Sequence, residues 1–220
     1  PEGFASEAAS GLAFVLLCLT GLSLVFMPAL VWATAEGFAG TERFDLTVSF
    51  GRVVFPYVLF ISLAALFSGM LNAAGHFAAA AAAPSLLNLF VILAMGLAAL
   101  LGGPVAEVLI WTIPFSGIAQ LALVWWAVRQ AGYRLDWRWP RLTPDMKHLA
   151  VVALPAALAG GVMQVNLLVG QQVASNFENA VGWLYAADRL YQLPLGVVGI
   201  AGPVITLVPT LLLTRKYVKV

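Results

Sequence analysis

Two adjacent charged residues, Asp188 and Arg189, lie inside a long apolar stretch of this sequence, and Gln192 follows them closely. In a helix, Gln192 is one turn from both charged residues, so the three side chains form one polar stripe. The planar guanidinium group of an arginine can bind a phosphate through two parallel hydrogen bonds. Charges inside apolar helices usually face a bundle interior or an aqueous cavity. We therefore predict that Asp188, Arg189 and Gln192 bind an anionic, phosphate-bearing substrate.

An alternative interpretation of the same residues stays open. Trp183 and Tyr185 could mark the membrane interface, in which case the two charges would simply reach the headgroup layer. The preceding apolar stretch carries Gln164 and Gln171, seven residues apart and hence on one helix face. These amides could line the same cavity or could form ordinary hydrogen bonds between helices.

The segments that position these residues are predicted to be membrane spans. Of the 220 residues, 62% are hydrophobic and 10% are charged, and no Asp, Glu, Lys or Arg occurs between Arg52 and Glu107. About 20 apolar residues suffice for a helix to cross a bilayer. The sequence thus predicts an all-α, polytopic transmembrane bundle of about six helices. The predicted spans are approximately Gly11–Thr34, Val48–Leu71, Pro84–Leu101, Val105–Val128, Leu149–Ala174 and Trp183–Leu213, with a tight helical connection at Asn72–Ala83.

The distribution of basic residues predicts the orientation of the bundle. The loop Arg129–His148 and the tail after Thr214 together hold eight of the eleven Lys and Arg residues. Alternating spans place both segments on one side, which the positive-inside rule makes cytoplasmic. The same loop suggests a boundary between residues 1–147, with four spans and the loop, and residues 148–220, with two spans.

Motifs for catalysis or metal binding do not occur in the sequence. We find no phosphate-binding loop, no HExxH, no GxSxG and no pair of cysteines. His76 and His148 have no partners at metal-ligand spacing. We therefore expect no enzymatic activity, no catalytic residue, no cofactor and no metal site. The net charge of +1 gives no reason to expect a nucleic-acid partner.

Four strings resemble the MurJ family, also called MviN, of the MOP exporter superfamily. They are AEGF (Ala35–Phe38), FPYVLFISLAALFSGMLNAAGHFAAAAAAPSLLN (Phe55–Asn88), LPAALAGGVMQVNLLVG (Leu154–Gly170) and YAADRLYQLPLGVVGIA (Tyr185–Ala201). The resemblance implies a multi-pass lipid II flippase of the bacterial inner membrane. Such a protein moves the undecaprenyl-pyrophosphate-linked peptidoglycan precursor from the cytoplasmic to the periplasmic leaflet for cell-wall synthesis.

The resemblance also implies a larger architecture, with fourteen helices around a central cationic cavity. The six spans then look like helices three to eight, so this sequence is expected to be an internal piece. Residues 1–147 would belong to the N-terminal lobe and residues 148–220 would start the C-terminal lobe. Arg189 and Asp188 match residues that the family places in its cavity, whereas Gln192 stands where some members carry a glutamate. The implied partners are lipid II, membrane lipids and other cell-wall synthesis proteins.

Other functions remain as alternatives. The nearest are a polysaccharide or multidrug exporter of the same superfamily. A more distant one is a non-transporting membrane scaffold that recruits cell-wall enzymes through the basic loop Arg129–His148. An enzyme acting on lipid-linked sugars is the third, and the loops lack the carboxylate clusters that such chemistry usually needs.

Overall fold

The computed structural model describes residues 2–137, 139 and 143–194, and every regular element in these ranges is helical. This confirms the all-α prediction. The last helix, α8, is described over 180–194, so the remainder of the predicted span Trp183–Leu213 lies outside the described residues. The other elements are α1 (Glu2–Val25), α2 (Met27–Thr34), a 3-10 turn (Glu36–Phe38), α3 (Glu42–Val54), α4 (Tyr57–Ala73), α5 (Phe77–Leu101), α6 (Val105–Gln130) and α7 (Pro144–Ala174).

Five helical stretches in the described residues are long and apolar enough to cross a membrane. They correspond to the first five predicted spans, but four of them begin several residues earlier than predicted. Their bounds are Gly3–Val25, Glu42–Ala73, Phe77–Leu101, Val105–Gln130 and Pro144–Ala174.

The prediction of a helical connection at Asn72–Ala83 was correct about the helical alanines but wrong about the connection, which is only the short turn at 74–76. Helix α4 ends at Ala73, and Gly75 adopts a left-handed conformation with φ of 81°. The amide of His76 then donates to the carbonyl of Leu71 at 2.8 Å, which closes the helix end. Helix α5 starts at Phe77, because the alanines that follow favour helix. Pro84 therefore lies inside α5 and not in its first turn.

Proline interrupts the first span, and a distant arginine compensates for it. Helix α1 ends just before Pro28, which has no amide hydrogen to donate to the carbonyl of Leu24. The Nε atom of Arg52 donates to that carbonyl at 3.2 Å. Pro56 likewise separates α3 from α4, whereas α6 and α7 continue through Pro114 and Pro155.

The main cluster of buried apolar residues lies where α1, α4 and α6 meet. Phe67 and Leu71 of α4 are only 1% and 0% exposed, and Val124 and Val128 of α6 are equally enclosed. Alanines of α1 and α5 complete this cluster. Small residues allow neighbouring helices to approach closely, which is the main source of helix association inside a bilayer.

A row of aromatic rings extends this core into the loop after α6. The rings of Phe67 and Trp125 lie 5.3 Å apart, and Trp137 stacks on Trp125 at 6.2 Å. The guanidinium carbon of Arg129 lies 5.1 Å from the Trp125 ring centre, which is a cation–π contact. Leu135 is buried in the same cluster. The start of the basic loop is therefore packed onto the helix bundle.

Hydrogen bonds between distant segments define the two ends of the bundle. At one end, the amide of Asp136 donates to the Ser6 hydroxyl at 3.1 Å, so the start of α1 lies beside the basic loop. At the other, the amide of Glu36 donates to the side chain of Gln172 at 3.2 Å. We call these the basic end and the acidic end. Their arrangement agrees with spans of alternating direction.

We expect Trp125→Leu to lower the stability of the bundle. The substitution removes two ring contacts and one cation–π contact, each worth about 0.5–1.5 kcal/mol, so we expect a loss of about 2 kcal/mol. The measurement is the midpoint of thermal unfolding in detergent. Trp111→Leu is the matched control, because that side chain is 57% exposed. Equal shifts for the two variants would show that the aromatic row does not stabilise the fold.

Candidate functional site

The candidate site lies on the hairpin formed by α7 and α8. The turn between them covers residues 175–179 and contains Asn179 with φ of 61°. Asparagine tolerates this left-handed conformation better than most residues. The Nδ2 group of Asn176 and the hydroxyl of Ser175 donate to the Gln172 carbonyl at 3.0 and 2.7 Å. These bonds satisfy the end of α7 and set the direction of α8.

The structure brings together the three residues predicted to bind substrate. The Nε2 group of Gln192 donates to Oδ2 of Asp188 at 2.6 Å. An Nη1 hydrogen of Arg189 points to Oε1 of Gln192, with a separation of 3.3 Å. Asp188 is half-buried, whereas Arg189 and Gln192 are exposed. The predicted polar stripe therefore exists as a hydrogen-bonded chain from acid to amide to arginine. The prediction that these residues bind substrate stays a prediction.

A tyrosine connects this stripe to the neighbouring helix. The hydroxyl of Tyr185 donates to Oε1 of Gln171 at 3.2 Å, joining α8 to α7. Gln171 thus forms a hydrogen bond between two helices, which was one of the two alternatives given for the amides of α7. Gln164 lies two turns earlier on α7 and is exposed. Tyr185 and Gln171 place the polar stripe close to the α7 surface.

A second polar contact at the acidic end was not predicted from the sequence. We call it the acidic-end clasp, and it comprises Glu36, Gly37, Gln172 and Ser175. Besides the bond to the Glu36 amide, Nε2 of Gln172 donates to a Glu36 carboxylate oxygen at 3.3 Å, and the Gly37 amide donates to the Ser175 hydroxyl at 3.1 Å. A Cβ atom on Gly37 would overlap the Ser175 backbone. Only glycine permits this approach.

A corresponding contact joins α7 to α1 at the basic end. The Thr143 hydroxyl donates to a carboxylate oxygen of Glu7 at 2.9 Å and accepts from the Met146 amide at 3.4 Å. Thr143 is thus the N-cap of α7 as well as its link to α1. Next to this contact, the Met146 methyl group would lie 3.3 Å from a Cβ placed on Gly11. We call Glu7 and Thr143 the basic-end clasp.

Between the basic-end clasp and the middle of α7 lies an apolar groove of about 640 Å³. Its walls come from α1, α4 and α7 and consist of alanine, glycine and larger apolar side chains. The lining includes Ala8, Leu12, Leu66, Leu149 and Ala153. Within the described part of the chain, no residue in the most apolar window of α7 is buried. Helix α7 is therefore held chiefly near its ends.

A metal centre is not among the features of the described residues. Within 2–137, 139 and 143–194, no group of three His, Cys, Asp or Glu side chains could hold a metal ion. The expected lack of a metal site or cofactor stays a prediction. The single cysteine, Cys18, lies on the exposed surface of α1.

The helices and their polar stripe define the class of this chain, which is a multi-pass α-helical membrane protein. A family model described as "Lipid II flippase MurJ" matches residues 2–212. The chain belongs to the MurJ family.

Similar proteins carry matching names. A "Probable lipid II flippase MurJ" of Rhizobium tropici is 48% identical over 208 residues, covering 92% of this chain and 39% of the relative. One from Rhizobium meliloti (strain 1021) is 48% identical over 89% of this chain and 38% of the relative. A "Lipid II flippase MurJ" of Burkholderia cenocepacia is 32% identical over 86% of this chain and 38% of the relative. This chain therefore spans somewhat over a third of the length of these relatives.

We expect Gly37→Ala to open the acidic-end clasp, because the added methyl group collides with the Ser175 backbone. The measurement is oxidative crosslinking between cysteines introduced by Glu36→Cys and Gln172→Cys, after Cys18→Ala removes the native thiol. The crosslinked fraction should fall several-fold when Gly37→Ala is added. Gly21→Ala is the control, since a Cβ there meets nothing within 4 Å. An unchanged crosslinked fraction in the Gly37→Ala protein would disprove the close approach.

Proposed function

We propose that this chain is part of a lipid II flippase, which moves the undecaprenyl-pyrophosphate-linked peptidoglycan precursor from the cytoplasmic to the periplasmic leaflet. The family membership and the names of the relatives support this function. The structural observation that most supports this function is the exposed guanidinium group of Arg189, which lies on the same helix face as Asp188 and Gln192. A charged headgroup crosses an apolar core only when fixed groups replace its water. An arginine placed within a helix of the bundle supplies such a group.

The position of Arg189 fits a headgroup that crosses the bilayer. It lies nine residues after the start of α8, which is about 13 Å along the helix at 1.5 Å per residue. This position, more than two turns from the helix start, supports the cavity interpretation over the headgroup one. The guanidinium group gives one hydrogen to Gln192 and has others for phosphate oxygens. A pyrophosphate offers oxygens for bidentate binding.

The two-part organisation is also a proposal. Helices α4, α5 and α6 pack closely on one another, whereas α7 meets the preceding helices chiefly near its ends. This difference supports a boundary in the basic loop, with residues 1–147 in one lobe and 148–220 in the other. The basic residues of that loop support a cytoplasmic location for the basic end. The family membership supports a place in the bacterial inner membrane.

The proposed activity is transport and not catalysis, with lipid II as substrate and membrane lipids as surroundings. Other proteins of cell-wall synthesis remain predicted partners. A polysaccharide or multidrug exporter, or a scaffold acting through the basic loop, remains as an alternative. No described contact favours these over a flippase.

We expect Arg189→Ala to abolish or strongly reduce flipping, because a charge-assisted hydrogen bond contributes about 1.5–3 kcal/mol, or roughly tenfold or more in binding. The test uses a chimera in which residues 2–212 replace the matched segment of the Rhizobium tropici relative. Growth is measured after the host's own copy is depleted, and lipid II translocation is measured in vesicles. Arg189→Lys should retain part of the activity, because lysine keeps the charge and loses the planar fork.

The control is Arg134→Ala, which removes an exposed arginine from the basic loop. A flippase that uses Arg189 should tolerate this control. If instead Arg134→Ala impairs growth and Arg189→Ala has no effect at equal protein level, the scaffold alternative is supported and the flippase proposal fails.

A further inference from the structure

We propose that residues 27–54 form an arm that pivots on the rest of the bundle, and that Arg52 is the latch that holds this arm in place. The arm consists of α2, the 3-10 turn and α3. We call α1, α4, α5 and α6 the body of the bundle. The arm is a conformational device, and its motion does not depend on which substrate the chain transports.

Pro28 and Pro56 break the two spans that lead into the arm. A proline has no amide hydrogen, so each of them removes one helical hydrogen bond and favours a bend. The two breaks are close together, since the sulfur atom of Met27 would lie 2.8 Å from a Cβ atom placed on Gly51. The chain enters and leaves the arm through these breaks, which therefore form one joint between the arm and the body.

The arm has an apolar cluster of its own. Met27, Val31 and Val48 are buried together, and Phe44 and Phe55 pack against them. Among the described residues, the main cluster of the body contains no residue of the arm. Helices α2 and α3 are thus packed on each other, and the arm is able to move as one unit.

Among the described residues, Arg52 makes the only side-chain hydrogen bond between the arm and the body. Its Nε atom donates at 3.2 Å to the Leu24 carbonyl, the acceptor that Pro28 leaves without its usual donor. Helix α3 also lies close to α6, but apolar packing is not directional. An unpaired carbonyl inside a bilayer costs free energy, because no water is there to bond with it. Arg52 removes this cost only while the arm lies against α1, so the bond holds the arm closed.

The far end of the arm is joined to α7 by the acidic-end clasp. The Gly37 amide donates to the Ser175 hydroxyl at 3.1 Å, and Glu36 is bonded to Gln172 through its amide and its carboxylate. The middle of α7 is not buried, so the body does not enclose it there. When the latch opens, the acidic end of α7 should therefore move together with the arm.

The experiment measures distances between nitroxide labels on this chain in lipid nanodiscs, after Cys18→Ala removes the native thiol. One label is on the arm at Leu46→Cys and the other on α1 at Leu17→Cys, and both side chains are exposed. Arg52→Leu should lower the ratio of closed to open arm by about tenfold or more, the factor that a charge-assisted hydrogen bond provides. A second, displaced population should therefore appear in the distance distribution.

Two further variants on α3 are the controls. Arg43→Leu removes the same charge from an exposed position of the arm and should leave a single population. Arg52→Lys should keep most of the closed population, since an ammonium group also donates to a carbonyl. A label pair within the body, Leu17→Cys and Leu93→Cys, should keep its distance in every variant, which shows that the body stays folded.

Restoring the missing amide tests the physical cause. Pro28→Ala supplies an amide hydrogen that bonds to the Leu24 carbonyl within the helix. In this background Arg52→Leu should change the ratio of closed to open arm by less than about twofold, because the two substitutions act on one acceptor and are not additive. A role of Arg52 unrelated to the proline would give the same loss in both backgrounds.

A third label pair tests the connection to α7. The labels are at Leu46→Cys on the arm and Val169→Cys on α7, both at exposed positions. This distance should stay unchanged in Arg52→Leu, because the clasp keeps the two elements together. It should broaden when Gly37→Ala is added, because the added methyl group opens the clasp.

Three results would overturn the proposal. The first is a single, unchanged population between arm and α1 in Arg52→Leu. The second is an equal loss of the closed arm with and without Pro28→Ala. The third is a distance between arm and α7 that broadens in Arg52→Leu while Gly37 is intact. If Arg52→Leu does not fold, the double variant with Pro28→Ala should fold, and failure of both also rejects the latch.

Discussion

Polar groups inside a bilayer have no water to bond with, so each must find a partner within the protein. The contact of Arg52 with Leu24 is a direct result. Pro28 leaves the Leu24 carbonyl without its usual amide donor, and Nε of Arg52 supplies a hydrogen from α3. In the described residues, every buried side-chain nitrogen and oxygen has a partner. Asp188 satisfies the same constraint by accepting a hydrogen bond from the next turn of its own helix.

Aromatic packing connects this membrane core to the polar loop at the basic end. Trp125 contacts Phe67 on one side and Trp137 on the other, while Arg129 lies over its ring. A loop rich in arginine would otherwise extend into the headgroup layer without fixed structure. Because Leu135 and Trp137 pack against helix residues, the first part of this loop keeps a defined position beside α1. The loop up to Trp137 therefore belongs to the folded bundle.

Much of the fold could be predicted from the sequence, because length and apolarity alone specify a membrane helix. The polar stripe on α8 was predictable for a similar reason, since helical spacing fixes which side chains are neighbours. Helix α7 starts before the predicted Leu149, at the recognisable N-terminal signal that Thr143 and Pro144 form. Gly75 similarly marks the end of α4. Hydropathy locates the apolar centre of a span, whereas capping residues locate its ends.

The two clasps could not be found in this way. Each joins residues that are more than 130 positions apart, and periodicity contains no information about which distant segments meet. The only local hint is Gly37 in the string AEGF, since a glycine outside a tight turn often marks a close approach of two backbones. Its partner on α7 is apparent only from the three-dimensional structure.

The geometry of the clasps has a mechanical consequence. The bonds between Glu7 and Thr143 and between Glu36 and Gln172 both join residues that are 136 positions apart. The segments between the clasps therefore contain equal numbers of residues, and they run in the same direction. The segment on α7 is one continuous helix of about 44 Å at 1.5 Å per residue, whereas the other is divided into α1 and α2 by the break before Pro28. Because the two segments are joined at both ends, α7 cannot slide along α1 and α2 without breaking the bonds of both clasps. The two clasps therefore fix the register of α7 against the first two helices, and with it the height at which the turn after α7 leads into α8.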